Sequence, residues 1–400
     1  MKYDFDTVYD RHHTNCAKYD SGHTDDPDMI PMWVADMDFK TLPDIPEALS
    51  KRVSDGIYGY STIPEEYLES VVGWMERRHD FHVEKDWIVP TPGVVTAFHL
   101  AVEAYTKKEE SVLVLTPVYY PFYRAIKNNG RRMVRMPLDL KDNQYTLDYK
   151  AFETKIIEEN VKMMIFCNPH NPVGKVWTKE ELKTIGDICK KHNVFVVSDE
   201  IHMDFVYAPH KHVAFYEVDP EYKNFSIVLT AASKTFNLAA LQTSAAIIAD
   251  EKLRNQFKKV KMSHSISDPT ILGFIATTVA YTKGDEWVNQ LLDYIKGNMD
   301  YLDHFLKTEC PGVSLIDPQG LYLAWVDMRT LGMSNEEQED FMLNKAHLWL
   351  DEGYVFGEEG SGFERFNLAC PRSTLEKACL QLKNCLLYTS DAADDRISVD

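Results

Sequence analysis

Short apolar runs alternate with amphipathic segments through the middle of the chain. The apolar runs predict strands, which fall at residues 111–116, 161–167, 194–198, 227–230 and 245–249. Between them, a capping box formed by Thr178 and Glu181 predicts a helix that continues to about Lys191. Short, fully apolar strands separated by helices are typical of a mostly parallel sheet covered on both faces. The pattern therefore predicts an α/β fold with a large, doubly wound sheet domain.

The pattern changes from about Glu286 onward. A long amphipathic segment is followed by an alternating strand and two further helical segments, at 287–305, 321–326, 335–349 and 375–387. These elements are typical of a smaller α+β domain. They follow the parallel-sheet region without a low-complexity linker between the two.

The same pattern predicts a division of the chain into four parts. The large domain is expected at 48–285 and the small domain at 286–387. Residues 1–47 lack periodicity and are expected to form an arm that packs on the small domain. Residues 388–400 have no helical period and look like translated adapter sequence. We expect a non-native, disordered tail there, and a native disordered tail is the alternative.

Charge and cysteine content restrict the class of protein. The net charge of −19 with no basic stripe argues against nucleic acid as a partner. Seven cysteines without a Cys-x-x-Cys pair indicate free thiols in a reducing cytoplasm. The first residues contain no apolar segment typical of a signal peptide, and no apolar run approaches a membrane span. A cytoplasmic protein without a membrane partner is expected.

Three polar side chains follow predicted strands in an informative order. Asn171 follows an Asn-Pro turn, Asp199 ends the next apolar run, and Lys234 follows the run after that. Ligands of doubly wound sheets bind beyond the carboxyl ends of strands. There, a lysine can form a Schiff base with the aldehyde of pyridoxal phosphate (PLP), and a carboxylate can keep the pyridine nitrogen protonated. The order predicts PLP as cofactor; solvated, capping or turn side chains are the alternatives.

A phosphate site is predicted where the segment 91–96 opens a helix. Gly93 permits close backbone approach, and the N–H groups of the first helical turn, at Val94 and Val95, suit an anion. Ser233 can add a hydroxyl. No metal is expected, because the histidine pairs 12–13, 79–82 and 210–212 lack cysteine or carboxylate partners at metal-binding spacing.

Five segments carry a resemblance to a known family. They read PMWVADMDF (31–39), YGY (58–60), SDEIH (198–202), SKTFN (233–237) and CPRS (370–373). The chain resembles fold-type I PLP enzymes of the class I/II aminotransferase superfamily over about residues 30–385. Within it, the chain most resembles the C–S β-lyase branch, which includes cystathionine β-lyases. Gln242 stands where many aminotransferases carry a phosphate-binding arginine, as in that branch.

The resemblance implies roles for further residues. Tyr119 would stack on the pyridine ring, and His202 would lie near the phenolic oxygen, to which Asn171 can donate. Arg365 would bind the substrate carboxylate, as its planar fork suits, with Ala35 also at the substrate. Tyr60 would reach the phosphate of a neighbouring subunit, which implies a homodimer with a shared active site. The alternatives are a packing histidine, a core or interface tyrosine, and a surface arginine ion pair.

The implied activity is β-elimination on L-cystathionine or related cysteine S-conjugates. Lys234 would remove the Cα proton, and a thiol (homocysteine from cystathionine), pyruvate and ammonia would be formed. An aminotransferase acting on amino acids would use the same residues, so this alternative stays open. A regulatory protein that binds a transcription factor through this fold is a second alternative. The motifs leave the physiological thioether unspecified.

Overall fold

A seven-stranded sheet forms the centre of the larger part of the molecule. The computed structural model describes residues 2–23 and 26–397, with side chains through residue 387. The sequence predicted five of the seven strands of this sheet, and the strands at Ile88–Thr91 and Arg132–Pro137 were not predicted. In chain order the strands are β1 (Ile30–Pro31), β2 (Ile88–Thr91), β3 (Ser111–Thr116), β4 (Arg132–Pro137), β5 (Asp139–Lys141), β6 (Gln144–Thr146), β7 (Val161–Cys167), β8 (Phe195–Asp199), β9 (Ser226–Thr230), β10 (Ser244–Ile247), β11 (Ser314–Leu315), β12 (Leu323–Asp327), β13 (Leu348–Trp349), β14 (Asp351–Glu352) and β15 (Phe363–Asn367).

The sheet is mostly parallel, as predicted. Its strand order is β2-β10-β9-β8-β7-β3-β4. The pairs from β9 to β4 are all parallel, whereas β10 runs antiparallel to both of its neighbours. The amino end of β10 therefore lies beside the carboxyl ends of β2 and β9. The chain segments that leave β7, β8, β9 and β2 consequently meet along one edge of the sheet.

Helices cover both faces of this sheet and also pack in the C-terminal part of the chain. They are α1 (Ala17–Asp20), α2 (Asp44–Ser54), α3 (Glu65–His79), α4 (Val94–Tyr105), α5 (Pro121–Asn128), α6 (Tyr149–Glu158), α7 (Lys179–Lys191), α8 (Ala232–Thr235), α9 (Glu251–Ser263), α10 (Ile271–Lys283), α11 (Asp285–Glu309), α12 (Asn335–Asp340) and α13 (Arg372–Ile397). Successive side chains of the strands enter different cores, as Leu113 and Val114 do, because side chains alternate across a strand.

Local sequence signals explain where α7 begins. Thr178 precedes the helix, and its hydroxyl accepts from the Glu181 N–H at 3.2 Å. The Glu181 carboxylate in turn accepts from the Thr178 N–H at 2.8 Å. The predicted capping box is therefore confirmed, and two backbone donors that a helix start leaves unpaired are satisfied.

The C-terminal part contains a four-stranded antiparallel sheet of order β11-β12-β15-β14. Its predicted long helix and alternating strand are present as α11 and β12. The prediction of one helix over 335–349 was wrong. Helix α12 ends at Asp340, a π-helical turn follows, and β13 pairs with β1. The pairing of Leu348 with Ile30 outweighs the helical pattern, because tertiary contacts override local propensity.

The N-terminal segment contacts the C-terminal part at several points. Pro31 pairs with Trp349, the Asn367 N–H donates to the Met32 carbonyl at 2.9 Å, and the Phe5 ring packs on Trp287 at 5.8 Å. These contacts agree with an N-terminal arm, although the division into domains stays a prediction. Helix α13 continues past the expected boundary at 387 to Ile397, since no glycine or proline interrupts that stretch. Residues 398–400 lie outside the described residues.

Two features bear on where the protein acts. No helix within residues 2–23 and 26–397 is long and apolar enough to cross a membrane. No disulfide joins cysteines in the same part of the chain. The location in the cytoplasm stays a prediction.

Candidate active site

The ends of two adjacent strands bring Asp199 and Lys234 together. Asp199 is the last residue of β8, and β9 pairs beside it, so the Glu200 N–H donates to the Leu229 carbonyl at 2.8 Å. Four residues beyond β9, Lys234 lies in the short helix α8. Its Nζ donates to the Ala35 carbonyl at 2.7 Å. The lysine is thus held between the sheet edge and the N-terminal segment.

A cavity of about 400 Å³ opens at this edge of the sheet. All but one of the residues predicted for the site line it: Ala35, Gly93, Val94, Val95, Tyr119, Asn171, Asp199, His202, Ser233, Lys234 and Arg365. The exception is Tyr60, whose side chain is fully exposed to solvent in the single chain. Residues that are far apart in sequence therefore form one chamber with ionisable groups on its walls.

Asp199 is a desolvated carboxylate. Its side chain is buried, and Oδ1 accepts from the Ile201 N–H at 3.2 Å. Burial raises the pKa of Asp199 to about 7, and the charge of Glu200 adds to the rise while Lys234 opposes it. A cationic N–H group in the cavity would offset the free-energy cost of burying this carboxylate, because an opposite charge favours the ionised form. The site thus fits a protonated nitrogen heterocycle at Asp199.

Lys234 is easier to deprotonate than an exposed lysine. Burial lowers the pKa of Lys234 to about 8, with a further lowering by the charge of Arg365. The carboxylates of Asp36, Asp199 and Asp351 oppose this shift. A substantial fraction of neutral amine is therefore present near neutral pH, as a nucleophile or general base requires.

His202 is held neutral beside these charges. Burial lowers the pKa of His202 far below its ordinary value, and the positive charges of Lys234 and Arg365 contribute. Its Nδ1 is buried and has no hydrogen-bond partner in the part of the chain that the structure describes. A neutral imidazole with an unpartnered nitrogen at the cavity wall fits a polar ligand atom there.

One end of the cavity suits a phosphate. Helix α4 begins after Gly93 with no side chain capping its first turn, so its N–H groups are available to an anion. Gly93 has φ +93°, a left-handed conformation that side chains rarely adopt. Ser233 and Thr243 bring two hydroxyl-bearing side chains to the same cavity. Phosphate and pyridine nitrogen can thus be held by separate walls.

Arg365 occupies the opposite wall and is fixed by several acceptors. It lies on β15 between β12 and β14, which places it across from Asp351. Its Nη1 donates to Asn171 Oδ1 at 3.1 Å, and its Nη2 donates to the Trp33 carbonyl at 2.9 Å and forms an ion pair with Asp351. Its Nε is buried without a partner among the described residues. The guanidinium is therefore positioned and still has donor capacity for a carboxylate.

Sequence reasoning missed several residues that line the cavity. Among them are Tyr120, Cys167 and Asp351, whose side chains are aromatic or polar. Tyr120 is adjacent to the predicted Tyr119, and that adjacency is the signal that could have identified it. Asp351 has no local signal, because its place depends on the register between β14 and β15. For Cys167, burial and the charge of Asp199 raise the pKa of the thiol well above its usual range, so it is an unreactive wall residue.

Taken together, the fold and the cavity define a class of protein: an α/β protein whose sheet edge is arranged for a phosphorylated, aldehyde-bearing pyridine cofactor. The family model for aminotransferase class I and II matches residues 27–382. The chain belongs to this family, and the sequence-based resemblance is confirmed.

Similar proteins narrow the place of the chain within that family. Cystathionine beta-lyase PatB of Bacillus subtilis is 39% identical over 387 residues, which cover 96% of this chain and 99% of that protein. Cystalysin from Treponema denticola, whose structure contains a pyridoxal 5'-phosphate cofactor, is 37% identical with a TM-score of 0.94, covering 97% and 100% of the two chains. The PLP-bound C–S lyase from Staphylococcus hominis is 33% identical with a TM-score of 0.90, covering 96% and 98%. The resemblance to the C–S β-lyase branch is confirmed as well.

Proposed function

We propose that this chain is a PLP-dependent carbon–sulfur lyase that acts on L-cystathionine or related cysteine S-conjugates. The observation that carries the proposal is the meeting of Asp199, Lys234 and Arg365 in one cavity. The names of the similar proteins agree with it, since one is a cystathionine beta-lyase and another a C–S lyase. The overall reaction takes a thioether amino acid and water to a thiol, pyruvate and ammonia. With cystathionine as substrate, the thiol is homocysteine.

We assign the parts of the cofactor to residues that line the cavity. Asp199 would hold the pyridine nitrogen, and Lys234 would carry the aldehyde carbon. Gly93, Val94, Val95 and Ser233 would hold the phosphate. Tyr119 would stack on the face of the pyridine ring. Asn171 and His202 would lie near the phenolic oxygen. When bound, PLP supplies an electron-accepting ring that stabilises negative charge at the substrate Cα.

The chain's own residues would orient the substrate and move its proton. Arg365 binds the α-carboxylate through the donor capacity that its contacts leave unused. This fixes Cα on the side of Lys234, whose neutral amine takes the Cα proton. Burial of Lys234 keeps water away from that amine and lowers its pKa toward the working range. The C–S bond of the substrate then breaks at Cβ, and the sulfur leaves as a thiolate that is protonated to the thiol.

We also propose that two copies of the chain form the working enzyme. The stretch that leads from α2 to α3 exposes three large apolar or aromatic side chains, namely Ile57, Tyr58 and Tyr60, and Val53 at the end of α2 is exposed beside them in sequence. Residues 56–64 have no helix or strand, and none of them lines the cavity of their own chain. Exposed apolar groups of this kind suit an interface. We propose that a second copy of the chain covers this stretch, and that Tyr60 then reaches the phosphate site of that second copy.

The deciding experiment separates elimination from amino transfer. Purified, PLP-loaded protein is incubated with L-cystathionine, and pyruvate and free thiol are measured in parallel. A second sample receives an amino acid with 2-oxoglutarate, and glutamate is measured. We expect pyruvate and thiol in equal amounts. The Lys234→Ala variant should lose this activity, whereas Lys258→Ala, at an exposed lysine of α9, should keep it. Glutamate formation without pyruvate or thiol would instead establish an aminotransferase.

A further inference from the structure

A second cavity of about 350 Å³ adjoins the active-site cavity. It is lined by Tyr120, Tyr123, Arg124, Lys127, Asp351 and Val355. Two of these residues, Tyr120 and Asp351, also line the active-site cavity. The two cavities are therefore neighbours, and Asp351, which forms an ion pair with Arg365, belongs to the lining of both.

One wall of the second cavity is a face of helix α5. Tyr120 precedes the helix, and Arg124 and Lys127 follow at spacings of four and seven residues, which places all three on one helical face. The Arg124 guanidinium lies over the Tyr120 ring, with 5.4 Å from Cζ to the ring centroid. The Tyr123 hydroxyl donates to the Phe356 carbonyl and ties the helix to the C-terminal part of the chain. The cations are thus presented by a packed helix and not by a loop.

The charge of this cavity favours an anion. Arg124 and Lys127 are exposed, and neither forms an ion pair within the part of the chain that the structure describes. The one carboxylate of the lining, Asp351, already forms an ion pair with Arg365. The two cations of α5 therefore remain uncompensated, although the chain as a whole carries a net charge of −19. A local positive site within an acidic protein draws anionic groups in and repels cationic ones.

We propose that the second cavity is a subsite for the distal end of the substrate, and that Arg124 and Lys127 there recognise a carboxylate. This inference rests on the proposed function and specifies its substrate class: cysteine thioethers whose sulfur substituent carries a carboxylate, as the homocysteine part of cystathionine does. The α-carboxylate binds Arg365, the thioether passes Tyr120 and Asp351, and the distal carboxylate reaches α5. Neutral S-alkyl cysteines leave the two cations without a partner and bind less well.

The kinetic test compares two substrates of the same size. S-(2-carboxyethyl)-L-cysteine ends in a carboxylate, and S-(2-carbamoylethyl)-L-cysteine ends in a neutral amide. For the wild-type enzyme we expect kcat/KM to favour the carboxylate. Arg124→Ala and Lys127→Ala should each reduce that preference by about fivefold, the range of an exposed charge pair. Arg124→Glu should reverse it, and both substrates should behave as in the wild type in the control Lys258→Ala.

A binding measurement separates this inference from the lyase activity itself. L-2-aminopimelate replaces the sulfur by a methylene group, so it has no leaving group and cannot be eliminated. Its dissociation constant from the PLP-loaded protein, measured by calorimetry, should rise about fivefold in Arg124→Ala and stay unchanged in Lys258→Ala. If neither substrate yields pyruvate but this shift is seen, the lyase proposal fails and the subsite stands. Equal effects of Arg124→Ala on the carboxylate and amide substrates, with no shift for aminopimelate, would overturn the subsite.

Discussion

Replacing Asp199 by asparagine should abolish most turnover and yet stabilise the cofactor-free protein at alkaline pH. The two side chains have nearly the same shape, so the amide oxygen can keep accepting the Ile201 N–H bond, which is 3.2 Å long in the wild type. The substitution removes only the negative charge, and it does so in a side chain that is 3% exposed. Both expected effects follow from the cost of holding that charge in the cavity.

The pKa of Asp199 gives the magnitude. Burial raises this pKa from 3.8 to about 7, which corresponds to about 4 kcal/mol at 1.36 kcal/mol per pH unit. Between about pH 4 and pH 7 the folded, cofactor-free protein keeps a proton that the unfolded chain releases. The stability of the folded state therefore falls as the pH rises through this window, and the whole cost is present above it. Asparagine carries no such cost.

The same charge becomes useful once the cofactor is bound. A carboxylate beside the pyridine nitrogen keeps that nitrogen protonated, and a neutral amide does not. The ion pair between Asp199 and the protonated pyridine nitrogen should offset the roughly 4 kcal/mol that burial of the carboxylate costs. Loss of this ion pair should therefore lower kcat/KM for elimination by a factor on the order of 10³. Pyruvate formation by the PLP-loaded variant measures this effect.

Urea unfolding of the cofactor-free protein at pH 5 and pH 8 measures the stability effect. We expect Asp199→Asn to be more stable than the wild type at pH 8, with a smaller difference at pH 5. A matched control is Asp204→Asn, since Asp204 is equally buried but accepts from Trp74 at 3.1 Å and from Thr235 at 2.6 Å. That variant should be destabilised at both pH values. Normal turnover of Asp199→Asn, or no stability gain at pH 8, would refute the electrostatic argument.

Four further outcomes test other parts of the site. Because the pKa of Lys234 is lowered to about 8, the rate at which PLP attaches to the cofactor-free protein should rise about tenfold from pH 7 to pH 9 and then level off; a continued rise would contradict the shift. In Lys234→Ala, borohydride should no longer fix PLP at this position. Arg365→Lys should raise KM by about 10- to 100-fold with a smaller change in kcat, because a point charge replaces a fork. If Tyr60 acts across a dimer, mixing inactive Lys234→Ala with impaired Tyr60→Phe under subunit exchange should restore activity, whereas no gain despite proven exchange would exclude it.

Five strands of the central sheet could be predicted because they are largely apolar, whereas β4, which carries Arg132 and Arg135, was not predicted. Runs such as Ser111–Thr116 and Val161–Cys167 are buried on both faces, and short buried runs between helices permit few other structures. The direction of β10 could not be predicted, since Ser244–Ile247 is equally buried whichever way it runs. The error at 335–349 has a similar cause. Its last residues pair with Ile30, which is more than 300 residues away in the chain.

Site residues could be predicted where they lie at or just after the end of a strand, or at the start of a helix. Asp199, Lys234 and Gly93 all occupy such positions, and parallel strands bring their carboxyl ends to one edge of the sheet. Asp351 and the cations of α5 have no such local signal. Their place depends on the register of β14 against β15 and on the contact between α5 and Phe356 in the C-terminal part of the chain.

Tyr60 differs from the other residues predicted for the site, because it is exposed on the surface of its own chain and does not line the cavity. Nothing in its own chain buries it, yet it belongs to a stretch of exposed aromatic and apolar side chains next to α3. An isolated exposed tyrosine needs no explanation, but Ile57, Tyr58 and Tyr60 together form a contiguous exposed group that water solvates poorly. The fold of one chain leaves this group exposed, whereas the other residues predicted for the site line the cavity. The remaining part of the site is therefore best sought on a second copy, where the hybrid-dimer experiment looks for it.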